Sequence, residues 1–408
     1  LAFESKYTKE DLKEMQSWPL ERKIRVTQLR IIEWYEHFNG NVYVSFSGGK
    51  DSTVLLDLVR RIYPDVPAVY ADTGLEYPEL KEFVRSKDNV TIIRPKMVFT
   101  DVIPQYGYPI IGKEVAEAIY YARQIHPKRR AKAERERERE RGQTWAKRLE
   151  LLGARPIRNG WRSWEKEQIF GGGQEDSDFK GSSLFNKQKW LPVARDLPFM
   201  VSHYCCHVMK KRPMSHYSSQ TKRKAILGVM ADESRVRKQA WLRNGCNAFE
   251  GRNKHSQPMA FWTEQDVLEY IRITGLEIAP VYGEVVYVDK KGNQCDGNCE
   301  GCKLKCTGAQ RTGCVYCGFG FHSESKKEPT RFQLLAETHP KLYEYAIGGG
   351  QWADNPAYDP TVGKEPDEYG WVHWNPKKIW VPSKSGLGMG KVFDMCNEIY
   401  GEDFMRYK

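Results

Sequence analysis

No stretch of this sequence approaches the roughly 18 consecutive apolar residues that a membrane-spanning helix needs, which excludes a bundle of transmembrane helices. The first residues, Leu1 to Lys13, are charged and hold no apolar signal core, so secretion is not expected from them. There is no internal repeat. Also missing is the even scatter of cysteines that a disulfide framework would show. Of ten cysteines, six fall between Cys295 and Cys317 and two more are adjacent, Cys205-Cys206. In a large chain without export signals, such clusters read as metal ligation, and the expected compartment is the cytoplasm.

What is present is a chain of 408 residues, 40% hydrophobic and 29% charged, with a net charge of +11. That length allows one large domain with insertions or two to three smaller ones. The basic excess suits polyanionic partners (nucleotides, RNA or DNA), although ordinary solubility charge would look the same.

Residues 8 to 40 read as helix, closed by Asn39-Gly40. Asn41 to Phe46 then reads as a buried strand, Asp51 to Ile62 as a helix, Val66 to Ala71 as a second strand, Tyr77 to Ser86 as a second helix and Val90 to Ile93 as a third strand. Strands alternating with helices predict a parallel sheet covered on both faces, with ligands at the carboxyl ends of its strands. One long helix is expected over 113 to 141, ending in Glu134 to Arg141, an alternating Glu-Arg run that reads best as a solvated face. A loop-rich stretch to residue 200 sets Trp145, Trp161, Trp164 and Trp190 among Lys and Arg, a pattern that fits either base stacking on nucleic acid or the small core of an insertion. Regular structure resumes with helices at 204–217, 232–242, 263–274, 328–347 and 390–400 and a strand at 224–230.

The chemistry centres on Ser47-Gly48-Gly49-Lys50-Asp51-Ser52, between the first strand and its helix. Two glycines let backbone approach an anion closely. The helix start adds unpaired N–H groups and a positive dipole end. Ser47 and Ser52 supply hydroxyls, and Lys50 a point charge for polyphosphate. Asp51 cannot bind phosphate directly, so its expected task is holding Mg²⁺. The spacing is shorter than in a Walker loop.

This loop resembles the fingerprint of the PP-loop ATP pyrophosphatases, the superfamily that includes the phosphoadenosine phosphosulfate (PAPS) reductases. Ala71 to Glu79 looks like the family's second-strand motif. Gly228 to Arg237 looks like its later strand-and-helix motif, and Phe261 to Val267 with Ile278 to Tyr282 matches its following segment. The resemblance implies an α/β fold with a doubly wound parallel sheet of about five strands, of the adenine nucleotide alpha hydrolase-like kind. It also implies a helical, basic insertion and a cysteine-rich C-terminal part. The expected segments are 1–40, 41–285 with an insertion at about 113–200, 286–325 and 326–408. The implied nucleotide-binding set is Ser45, Ser47, Gly48, Gly49, Lys50, Asp51, Ser52, Asp72, Thr73, Gly74, Gly228, Glu233, Ser234 and Arg237, with Lys50 and Asp51 catalytic.

Cys205-Cys206 and Cys314-x-x-Cys317 resemble the ligand arrangement of the family's iron–sulfur branch, which implies a [4Fe–4S] cluster on four thiolates. Adjacent cysteines suit a cluster better than a tetrahedral zinc ion. A second group, Cys295, Cys299, Cys302 and Cys306, has no evident counterpart in the related families. It reads as a Cys₄ zinc site, a second cluster, a donor of ligands to the first, or unligated thiols. Cys246 and Cys396 read as buried structural thiols.

Two reactions compete on the resemblance. Sulfonucleotide reductases use a C-terminal cysteine in a Glu-Cys-Gly-Leu-His-like tail, which is absent from these residues, and usually carry degraded phosphate loops. An intact loop points instead to a true ATP user that adenylylates a substrate, releases pyrophosphate and supports sulfur transfer, with RNA or DNA as acceptor and a sulfur donor or reductant protein as partner. A non-enzymatic nucleic-acid-binding module with a structural metal is the third reading.

Overall fold

A computed structural model of the chain describes residues 5–124, 155–157, 160–162, 190–251, 253–365 and 373–408. The Glu134–Arg141 run, Trp145 and Trp164 lie outside them. The chain forms two compact units: Leu1–Lys96 with Met209–Val315, and Met97–Val208 with Tyr316–Lys408. These boundaries are set by contacts, and neither residue 40 nor residue 285 is one of them.

Strands are numbered here along the chain. In the first unit, β1 (Val42–Ser45), β2 (Ala68–Ala71), β3 (Val90–Ile93), β7 (Lys224–Leu227), β8 (Asn247–Ala248) and β9 (His255–Ser256) form one sheet, ordered β3-β2-β1-β7-β9-β8. All pairings are parallel except β8 on β9. The expected parallel sheet is therefore present, with six strands. Its centre is apolar on both faces: Val42, Val44, Ala68 and Val69 are fully buried, as a parallel sheet sandwiched by helices requires.

The expected helix over 8–40 is two helices, α1 (Lys9–Ser17) and α2 (Leu20–His37). Pro19 explains the break, because it forces the preceding residue out of helical geometry. Thr8 and Asp11 close a capping box on α1. Ile31 and Trp34 of α2 are fully buried, as are Val54, Leu55 and Leu58 of α3 (Lys50–Arg60). Each such side chain contributes about 1.5–3 kcal/mol. A second, antiparallel sheet holds β10 (Val285–Val288) between β11 (Gln294–Cys295) and β12 (Lys303–Cys306).

The second unit pairs β4 (Ile110–Ile111) with β13 (Gly318–Phe319), β5 (Arg155–Ile157) with β6 (Gly160–Arg162), and β14 (Gln351–Asp354) with β15 (Lys378–Val381). The helix expected from 113 is described over Lys113–Gln124. The one expected at 328–347 is two, Arg331–Thr338 and Pro340–Ile347, again divided at a proline. Trp190 is buried against His322, Tyr400 and Phe404. Of its two expected roles, base stacking or core, the burial of Trp190 gives the second.

Candidate active site: the phosphate loop and the cysteine groups

β1 delivers the chain to the carboxyl edge of the sheet, where Ser47 to Gly49 turn it into α3. Gly48 takes φ +73°, and a Cβ there would lie 2.7 Å from Val84 Cγ2 and 2.9 Å from Leu80 Cδ2. Only glycine fits without displacing those core side chains. Gly49 is the N-cap of α3. Ser52 braces the turn: its hydroxyl donates to the Gly49 carbonyl at 2.9 Å and accepts from the Ser47 amide at 3.2 Å.

A pocket of about 400 Å³ opens over this loop. Ser47, Gly49, Lys50, Asp51, Gly228, Glu233 and Arg237 of the expected nucleotide-binding set line it. A Cβ on Gly228 would sit 3.1 Å from the Asp51 carbonyl oxygen, so any larger residue there would press on the backbone of α3. Ser45, Gly48, Ser52 and Ser234 stand outside the lining. Ser234 caps the helix Arg235–Asn244 by accepting from the Arg237 amide at 3.3 Å. Asp72, Thr73 and Gly74 also stand outside, in the turn after β2. There the Asp72 carboxylate accepts from the Gly74 amide at 3.2 Å, and Thr73 donates to Glu76 from both amide and hydroxyl.

Seven lining residues were not picked out by sequence reasoning: Met230, Asp232, Glu264, Tyr282, Arg311, Thr312 and Gly313. The Lys50 amide donates to the Tyr282 hydroxyl at 3.1 Å, and that hydroxyl lies 2.6 Å from the Thr312 hydroxyl. Lys50 Nζ donates to the Gln310 carbonyl at 3.0 Å and pairs with Glu264 at 3.0 Å. Burial opposes the charge of Lys50, but Asp51 and Glu264 outweigh it and raise its pKa. Asp51 is shifted up, chiefly by burial, with Glu233 and Glu264 adding to the shift and Lys50 and Arg311 opposing it. Its Oδ1 is buried with no hydrogen-bond partner among the described residues. The only signal for Glu264 and Tyr282 was their place inside the quoted segments 261–267 and 278–282.

The cysteines divide between the units. In the first, Cys314 hydrogen-bonds Lys210, whose ammonium also lies 3.3 Å from the buried Glu76 carboxylate. In the second, Cys205 and Cys206 stand with sulfurs 3.9 Å apart, just before the π-helical turn His207–Lys211. Burial raises the Cys317 thiol; Arg331 and Lys113 oppose that rise, and Cys206 adds to it. Cys205, Cys206 and Cys317 thus belong to the second unit, with Arg331 and Lys113 acting on Cys317, and thiolates of this kind fit an iron–sulfur cluster by their chemistry. Cys295, Cys299 and Cys302 come within 4.8 Å of one another. Cys299 is pushed up to about 12, first by its hydrogen bond with Cys295. Cys306 does not join them. It is buried at the end of β12, facing Lys50, Glu264 and Asp51.

The profile of the phosphoadenosine phosphosulfate reductase domain matches residues 41–136 and 173–318, more than half of the chain. The chain belongs to the PAPS reductase family of the PP-loop superfamily. Within this family the chain is 30% identical over 104 residues to an adenosine 5'-phosphosulfate reductase of Staphylococcus epidermidis, covering 24% of this chain and 42% of that protein. It is 32% identical over 121 residues to the phosphoadenosine 5'-phosphosulfate reductase of Serratia proteamaculans, covering 28% and 48%. The chain therefore spans less than half the length of these curated relatives. Among solved structures, the PAPS reductase of Candida auris in its phosphate complex aligns with a TM-score of 0.31 at 10% identity, covering 67% of this chain and 90% of that one. In this PAPS reductase-family member the loop sets a lysine and an aspartate side by side, Lys50 and Asp51 both lining the pocket. No helix among the described residues is long and apolar enough to cross a membrane.

Proposed function

We propose that this family member binds Mg²⁺·ATP on the Ser47–Ser52 loop, adenylylates an oxygen of its substrate with release of pyrophosphate, and so prepares that substrate for sulfur transfer. The observation that carries the reading is the mixed charge of the pocket. Lys50, Arg237 and Arg311 share one wall system with Asp51, Glu233 and Glu264. Carboxylates so placed repel a bare anion, but they suit a polyphosphate that arrives with a divalent cation.

In this reading phosphoryl oxygens lie over the start of α3 with the helix dipole behind them, while the Lys50 amide stays on Tyr282. Lys50 leaves Glu264 for the nucleotide and stabilises the negative charge that grows on departing pyrophosphate. Asp51 would hold Mg²⁺ through its unpartnered Oδ1, and the cation would neutralise that same charge. Tyr282 holds the Lys50 amide in place. Cys205, Cys206 and Cys317 would supply thiolates to the [4Fe–4S] cluster that the resemblance implies, which supplies redox or sulfur chemistry when bound. The net charge of +11 supports a polyanionic acceptor, RNA or DNA, with a sulfur donor or reductant protein as further partner.

Sulfonucleotide reduction is the second reading, favoured by the names of the curated relatives. Against Cys396 as its nucleophile, that thiol is fully buried in the helix Met389–Tyr400 and pushed up to about 12 by burial. Competition binding of ATP and PAPS, with pyrophosphate and sulfite assayed in the presence of bulk RNA and DNA, separates the two. Pyrophosphate release from ATP is expected. Much tighter binding of PAPS together with sulfite production would defeat the adenylylation reading.

A further inference from the structure

The group Cys295-x₃-Cys299-x₂-Cys302 lies apart from the loop chemistry above, on the small antiparallel sheet β11-β10-β12. Its backbone is shaped as a tight knuckle. Gly297 and Gly301 take φ +89° and +76°, and a Cβ on Gly297 would meet the Tyr287 ring at 2.7 Å. Asp296 accepts from the Asn298 amide at 3.0 Å, and the Cys302 amide donates to the Cys299 carbonyl at 3.3 Å. These turns point three sulfurs at one place. Cys295 and Cys299 stand 3.2 Å apart, and all three sulfurs fall within 4.8 Å of one another.

We propose that Cys295, Cys299 and Cys302 bind a single zinc ion as three thiolates, with the fourth tetrahedral position open to solvent.

Size decides the class of metal. Thiolates at about 2.3 Å from a tetrahedral zinc stand about 3.8 Å from each other. Sulfurs already this close enclose one ion and leave no room between them for a cube of four irons. Geometry also decides the count. Cys306 follows Cys302 by four residues, and β12 is extended, so those residues span about 13 Å. In β12, Leu304 and Cys306 both turn into the apolar core of the first unit. No His, Asp or Glu among the described residues joins the three sulfurs. The site gives this part of the chain a reason to fold: β11 has two residues and the sheet three short strands. A metal bridging the knuckle adds binding energy that so small a sheet cannot draw from apolar burial.

The test is metal analysis of the full chain, purified without added metal and then substituted with cobalt. About one zinc per chain is expected, with cobalt giving tetrahedral d–d bands and a sulfur-to-cobalt band of three-thiolate intensity that shifts when mercaptoethanol fills the open position. Cys299→Ser and Cys302→Ser should each lose the zinc with iron content unchanged. Cys306→Ala, checked for folding by circular dichroism, should keep it. A chain that takes up neither zinc nor cobalt, a four-thiolate cobalt band, or iron and sulfide lost together with Cys299 would each overturn the assignment. None of these readings depends on the nucleotide or the reaction.

Discussion

Lys50 Nζ lies 3.0 Å from Glu264 Oε1, so the cation of the phosphate loop is already paired with a carboxylate from the N-terminal turn of the helix Glu264–Thr274. A nucleotide must exchange that partner for phosphate. Replacing Lys50 with alanine removes a charge aimed at the leaving group, and pyrophosphate release should fall by about 10²–10³-fold. Zinc and iron contents of Lys50→Ala should match the parent. Turnover close to the parent's would remove Lys50 from its assigned role.

Tyr282→Phe leaves the Lys50 amide and the Thr312 hydroxyl without the phenol between them. One lost buried hydrogen-bond partner costs about 1–3 kcal/mol. Urea unfolding should show that loss, and Mg²⁺·ATP should bind more weakly because the loop's first helical amide is no longer fixed. Unchanged nucleotide affinity would mean that the hydroxyl only props the wall.

Gly48→Ala faces two obstacles at once, a left-handed backbone and a Cβ pressed on Leu80 and Val84. The conformational part alone is about 1–2 kcal/mol, and displaced core side chains add to it. A lowered thermal midpoint with loss of nucleotide binding is expected. A variant as stable as the parent would show that the turn can relax.

Asp51 is expected to trade stability for function. Burial holds its pKa above the ordinary 3.8, so the folded state binds more protons than the unfolded chain in the interval above 3.8. Stability therefore falls as pH rises through that interval, and the loss is complete once the folded carboxyl has ionised. Asp51→Asn should be more stable than the parent at neutral pH, and the advantage should shrink as pH falls towards 4. Lys50, Arg311, Glu233 and Glu264 all face this carboxylate, so the comparison is best made in the single variant by urea titration at several pH values. An advantage that does not change with pH would contradict the burial argument.

Trp190→Ala should cost about 3–5 kcal/mol, because the ring fills a buried site lined by His322, Tyr400 and Phe404. Near-neutral stability with impaired RNA binding would restore the stacking role that the fold denies it.

Much of this molecule was legible in its residues. The strand-loop-helix at 42–60 follows from an apolar run, two glycines and an amphipathic helix. The parallel sheet follows from alternating elements. Pro19 and Pro340, which divide two expected helices, were also readable from the residues, because a proline restrains its predecessor wherever it sits.

The sequence by itself determined that a glycine turn begins α3, and that most of the cysteines fall in clusters, because those properties belong to neighbouring residues. Only the tertiary structure decided that Glu264, Tyr282, Arg311 and Thr312 face Lys50 and Asp51, that Trp190 is core, and that Cys306 leaves its three companions for the interior. Spacing along a chain fixes distance in space only when the backbone conformation is known: four residues form one close turn in the knuckle and a long stride in β12.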